Sequence, residues 1–267
     1  MKFKHILSFL YQPKTVMLKK ILRYLLFAIL IFVVLLAIIY IFPKVEAEQS
    51  LTETDVMPVR ELDSLYWAMQ QEVLLQEFGN RKTLIEGYEL QCLLALRYFP
   101  ELKDTRIHFI YRETLIPLAS RPDLWTLFGD KTDREYRVIV SNKTRESMEP
   151  VLLKNLPFDA QVAILAHELG HTYHYRQYNL WQMLKFGMRY ALDGDFRKAH
   201  ERSTDALVVY RRLGWQLFEY AEYVRTAPKA KAHYEEAKDF LDSHYLQPSE
   251  IIEMMSQINA YGLGAPY

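Results

Sequence analysis

Cysteine is nearly absent: Cys92 is the only one in 267 residues. No intrachain disulfide can form, so stability must come from packing, helped by a metal if one binds. A lone thiol inside the apolar stretch 90–96 reads as a small core residue rather than a nucleophile. Glycine (9) and proline (11) are few and scattered, which excludes low-complexity and collagen-like architectures. No internal repeat is visible, and no block of like charge exceeds a few residues. Apolar residues, by contrast, make up 50% of the chain and aromatics 14%, enough for a sizeable core.

The formal charge of zero hides a division. Residues 1–44 hold seven of the 33 basic residues and no acidic one, which leaves 26 basic against 33 acidic residues over 45–267, a net charge of about −7. An acidic domain has no general attraction for phosphate backbones, so no nucleic-acid partner is expected.

Residues 24–42 are uncharged and dominated by Leu, Ile, Phe and Val. A helix needs roughly 20 such residues to span the hydrocarbon layer, so this run predicts a transmembrane helix and a membrane as partner. Six basic residues precede the run, while Lys44, Glu46 and Glu48 follow it. The positive-inside rule then predicts a single-pass membrane protein with a cytoplasmic amino terminus and its domain on the extracytoplasmic side. The expected division is a basic cytoplasmic tail (1–23), the span (24–42), a linker (43–57) and one domain (58–267).

Within that domain, apolar spacing predicts helices over 59–78 and 84–98, broken between them at Gly79-Asn80. Two β-type runs follow at 106–112 and 135–141, separated by an irregular connection that contains Pro117, Pro122 and Gly129. From Phe158 onward the pattern is helical, with a first helix capped by Asp159 and running to about Tyr178, then helices at 180–192, 196–213, 215–226, 229–243 and 248–258. A small sheet followed by a helical subdomain is an α+β fold.

The chemistry is concentrated in His167-Glu168-Leu169-Gly170-His171. Positions four apart on a helix lie one turn apart on the same face, so His167 and His171 can address one ion. Neutral imidazoles bind Zn²⁺, and a third ligand leaves the fourth position open for a water. Glu168, next to the first histidine, is positioned to act on that water as general base. The motif interrupts the apolar run 162–166, where two imidazoles and a carboxylate are costly to bury without a purpose. For the third ligand the sequence offers His200-Glu201-Arg202-Ser203-Thr204-Asp205, in which Glu201 is favoured.

A His-Glu-x-x-His helix followed by Glu-x-x-x-Asp resembles the gluzincins, the thermolysin-like zinc metallopeptidases, and most of all their small membrane-associated members. The resemblance covers about residues 135–215. It implies that Glu201 is a metal ligand, that Asp205 hydrogen-bonds His167, and that one zinc ion is the cofactor. It also implies a peptide or protein substrate, added as an extra strand along an edge strand, for which 138–141 is the expected place. Two departures stand out: Thr204 replaces the usual Ala before the aspartate, and one span is expected rather than several. Ser147-Met148-Glu149-Pro150 lacks the Gly and Asn of the exopeptidase sequence it faintly resembles, so no aminopeptidase role carries over.

A transition-state oxyanion needs a donor besides the metal, and Tyr210, His174 and Tyr261 are the candidates. The expected function is a membrane-anchored zinc endopeptidase. Its rivals are a non-catalytic, membrane-tethered metal-binding or interaction protein on a peptidase scaffold, and a metallohydrolase acting on a non-peptide bond.

Overall fold

The computed structural model describes residues 14–41 and 45–263. The chain divides into two compact units, Met1–Val45 and Glu46–Tyr267. The first contains helix α1, Lys14–Ile41. Residues 1–13 of the expected basic tail, and residues 42–44, lie outside the described residues.

The expectation of a transmembrane helix over 24–42 is corrected here. Among the described residues, no helix is long and apolar enough to cross a membrane. Helix α1 carries Lys14, Lys19, Lys20 and Arg23 in its first part.

The second unit is α+β. Two short helices, α2 (Ser64–Met69) and α3 (Gln71–Phe78), replace the single helix expected over 59–78. The Asp63 carboxylate accepts the amides of Leu65 and Tyr66 and so fixes the start of α2. Helix α4 runs Glu89–Arg97, later than the expected start at 84. Gly87 explains the delay: its φ of +81° belongs to a left-handed turn that a helix cannot contain.

The sheet holds four strands in the order β1-β2-β4-β3, with β1 Lys82–Thr83, β2 Arg106–Arg112, β3 Leu118–Pro122 and β4 Glu135–Ser141. β1, β2 and β4 run parallel, and β3 is antiparallel to β4. Val138, Ile139, Val140 and Ser141 are all buried, as in a central strand covered on both faces. Residues 138–141 are therefore not an edge strand: β4 pairs with β2 on one side and β3 on the other. The edge on that side is β3, inside the stretch expected to be irregular, and the other edge is β1. Pro122 closes β3 without conflict, because an edge strand uses only half its backbone groups for pairing.

Helix α5 (Phe158–Gln177) is the centre of this unit, with sixteen of its twenty residues buried. That burial on every side explains why its sequence shows no one-sided apolar stripe. Pro157, at φ −56°, occupies the position before it. Asp159 is not the cap: its carboxylate instead accepts the Leu62 amide and the Gln216 side chain. Cys92 is fully buried in α4, and burial pushes its thiol up to about 12.

Helices α6 (Leu180–Leu192), α7 (Gly194–Val208), α8 (Gly214–Thr226), α9 (Lys231–His244) and α10 (Pro248–Ser256) complete the unit. The expected helix 196–213 starts earlier, where the Asp193 carboxylate accepts the Phe196 amide, and ends at Val208. Beyond it, a wide turn at Val209–Leu213 brings Arg212 to φ +70°. The segment expected as a linker has no helix or strand over 46–57, yet it is tied down. Arg211, fully buried, donates to Thr52 at 2.7 Å and Glu101 at 2.8 Å, and Arg212 donates to Glu53.

Candidate metal centre

His167 and His171 project from one face of α5, and Glu201 comes from α7. The meeting of these two helices depends on Gly170: a Cβ there would stand 2.9 Å from Cγ2 of Thr204 and 3.7 Å from Cδ2 of Leu207. The glycine of the motif is thus a packing residue that lets the second ligand helix approach.

His167, His171 and Glu201 each offer one ligand atom, and these atoms all lie within 4.8 Å of one another. All three residues are buried. Oε2 of Glu201 is 3.2 Å from Nε2 of His167 and 3.5 Å from Nε2 of His171. The opposite ring nitrogens are engaged elsewhere. Nδ1 of His167 lies 2.8 Å from Oδ1 of Asp205, whose Oδ2 accepts the Leu246 amide at 2.9 Å. Nδ1 of His171 lies 2.9 Å from Nε2 of His200. With each neutral imidazole protonated at Nδ1, two Nε2 lone pairs and one carboxylate oxygen converge with no proton among them. Three converging acceptors in a dry site suit a cation.

The electrostatics show that these acceptors favour a positive charge among them, taken up by a proton on His167 where no cation is bound. Burial opposes ionisation of Glu201, but His171 and His167 outweigh it and hold the carboxyl well below its usual range. Burial likewise opposes a charge on His167, yet the hydrogen bonds and charges of Asp205 and Glu201 raise its pKa well above the usual value. Tyr190 of α6 adds a hydroxyl that donates to Oε1 of Glu201.

Glu168 differs. It is 5% exposed, its Oε2 has no hydrogen-bond partner among the described residues, and burial raises its pKa. The backbone of Ser120 in β3 offsets that rise only slightly. The Ser120 and Thr172 hydroxyls are also 2.8 Å apart, so the edge strand lies along α5 beside the cluster.

Of the three oxyanion-donor candidates, Tyr261 is committed elsewhere: its hydroxyl accepts the Gly214 amide at 2.8 Å and donates to the Val209 carbonyl. Tyr210 sits in the wide turn after α7, and no hydrogen bond or ring contact among the described residues joins it to the cluster. His174 is buried among aromatic rings, 4.8 Å from His200, 4.8 Å from Tyr178 and 5.6 Å from Phe186. Burial, with His171 nearby, lowers its pKa to about 4, so it is a neutral ring behind His171.

Sequence reasoning missed His200, Tyr190 and Tyr245. His200 directly precedes Glu201, a signal that was there to be weighed. Tyr190 and Tyr245 come from separate helical segments with no motif to mark them. The Tyr245 ring lies 5.9 Å from the His167 ring, and burial beside Glu201 pushes its phenol well above the usual range.

No protein-family model matches the chain, and no curated protein or solved structure matches it. What stands on the geometry alone is a buried His-His-Glu group able to hold a metal ion.

Proposed function

We propose that this chain is a zinc-dependent endopeptidase, with His167, His171 and Glu201 as metal ligands and Glu168 as general base. Two neutral imidazoles and one carboxylate, with a fourth position open, form the donor set of a catalytic zinc site. Zinc bound there would supply Lewis acidity, polarising a carbonyl and making water easier to deprotonate. The observation that carries the reading is Glu168. A buried carboxylate with a partnerless oxygen and raised proton affinity, next to the ligand cluster, is equipped to take a proton from the attacking water. It can then return that proton to the leaving amine.

The substrate side of the reading rests on β3. The strand ends the sheet, so its outer backbone groups are open to an added strand, and Ser120 ties it to α5. An extended peptide pairing there would lie beside Glu168. The resemblance to gluzincins, drawn from the His167–His171 motif and the Glu201–Asp205 spacing, supports the same reaction. Tyr245, whose ring lies 5.9 Å from that of His167, is the phenol we assign as hydrogen-bond donor to the developing oxyanion.

The test is digestion of a broad peptide library by the full chain, with and without chelator, beside Glu168→Gln. We expect chelator-sensitive cleavage by the wild type. The variant should hold zinc as before and cleave about 10²–10⁴-fold more slowly, the usual contribution of a general base. Absence of cleavage by wild type at full zinc occupancy would favour a non-catalytic metal-binding protein.

A further inference from the structure

His200 is fully buried, its Nε2 faces a ligand histidine, and the proposed chemistry does not use it. The contacts around it assign every proton. If His171 binds a metal through Nε2, its Nδ1 carries the hydrogen and must donate. Nε2 of His200, 2.9 Å away, is the nearer acceptor, with Oγ1 of Thr204 at 3.4 Å, and since it faces that N–H it must accept. The proton of His200 is left on Nδ1, and Nδ1 lies 2.9 Å from the Ala47 carbonyl, which can only accept. The chain His171, His200, Ala47 is consistent at each atom in one direction only.

Ala47 belongs to the irregular segment 46–57, and its neighbours hold the same surface of α7. The Gln49 amide donates to the Ser203 hydroxyl at 3.0 Å, and the Gln49 side chain donates to Thr204. Thr204 in turn donates to the His200 carbonyl at 2.9 Å. Around the His200 ring stand Phe186 at 4.8 Å and Phe196, stacked at 6.4 Å. The ring is thus fixed in plane by aromatics and in proton position by the segment.

We infer that His200 is a positioning residue for the metal centre, and that the 47–53 segment is part of that centre because the Ala47 carbonyl dictates which nitrogen of His200 can accept from His171. Without the carbonyl, His200 is free to carry its proton on Nε2, where it opposes the Nδ1–H of His171. The inference rests on metal binding by His167, His171 and Glu201, and not on peptide cleavage.

The experiment is zinc affinity of the full chain, measured by competition with a chelator, together with the absorption spectrum of the Co²⁺-loaded protein. His200→Phe keeps a ring among Phe186 and Phe196 but cannot accept a hydrogen bond. It should weaken zinc about 10–100-fold, the effect typical of residues that orient a ligand, and alter the cobalt spectrum. His200→Gln restores an acceptor and should recover part of the affinity. A folded His200→Phe with unchanged affinity and spectrum overturns the inference and leaves the metal centre standing. Zinc-free behaviour of the wild type would overturn both. Should His200→Phe fail to fold, nitrogen-detected NMR of the zinc-loaded wild type decides. His200 must be protonated on Nδ1, and a proton on Nε2 overturns the inference.

Discussion

Glu168 and Glu201 are 5% and 3% exposed and belong to one cluster, yet their proton affinities are driven in opposite directions. Burial raises the pKa of each. For Glu201, two imidazoles within 3.5 Å outweigh that cost, so the carboxylate stays ionised. Glu168 has an oxygen with no partner among the described residues and only a slight offset from the Ser120 backbone, and burial wins. Burial alone therefore does not set the chemistry of a carboxylate; the number and kind of partners does. In the proposed reaction, two acidic groups pushed apart by their surroundings would divide the work between a permanent anion that holds a cation and a proton carrier.

Glu201→Gln is the largest blow to that comparison. Zinc sites of four ligands are worth about 10–16 kcal/mol, roughly 2.5–4 kcal/mol per ligand. Since 1.4 kcal/mol is a factor of ten, losing the carboxylate should weaken zinc by about two to three orders of magnitude. Titration calorimetry with a competing chelator measures it. If Glu201→Gln bound zinc as tightly as wild type, the permanent anion would have to be another residue.

What could be read from the sequence follows from how far apart the partners are. The His167–His171 pair and the Glu201–Asp205 pair are each four residues apart, and helix geometry turns that spacing into a shared face. The strands 106–112 and 135–141 were legible from their β-branched, alternating runs. By contrast, the contact between His200 and Ala47 spans 153 positions, and nothing local marks it. β3 was hidden because Pro117 and Pro122 frame it, and prolines argue against a strand unless its edge position is known. The same ignorance of pairing made 138–141 look like an edge. Over 24–42, uncharged composition alone suggested a span, while α1 also takes in the basic residues before it.

Asp205→Asn sharpens the comparison by weakening Glu201's neighbour rather than Glu201 itself. Asp205 accepts from His167 at 2.8 Å and from the Leu246 amide at 2.9 Å, so both of its oxygens are used as acceptors. An asparagine can present only one oxygen, and its NH₂ must face either a ring N–H or a backbone N–H. Zinc affinity should fall about 10–100-fold, as for other carboxylates behind a ligand histidine. Folding stability should drop by about 1–3 kcal/mol, the cost of a buried donor left without an acceptor. Denaturant unfolding of the zinc-free protein separates the two effects. A loss of stability with unchanged affinity would mean that Asp205 anchors Leu246 and does nothing for the metal.

The smallest effect is expected from Tyr190→Phe, which removes only the hydroxyl that Glu201 accepts through Oε1. The two histidines act on Oε2, so they would still favour the ionised form. What is lost is the orientation of the carboxylate, and zinc should weaken by about tenfold at most, the low end for a residue acting through a ligand. Phenylalanine keeps the contact with the Phe186 ring, whose centroid lies 5.9 Å from that of Tyr190, so packing should survive. Chelator competition at fixed pH gives the number. A loss as large as that of Glu201→Gln would show that the hydroxyl, rather than the imidazoles, is what sets Glu201 apart from Glu168.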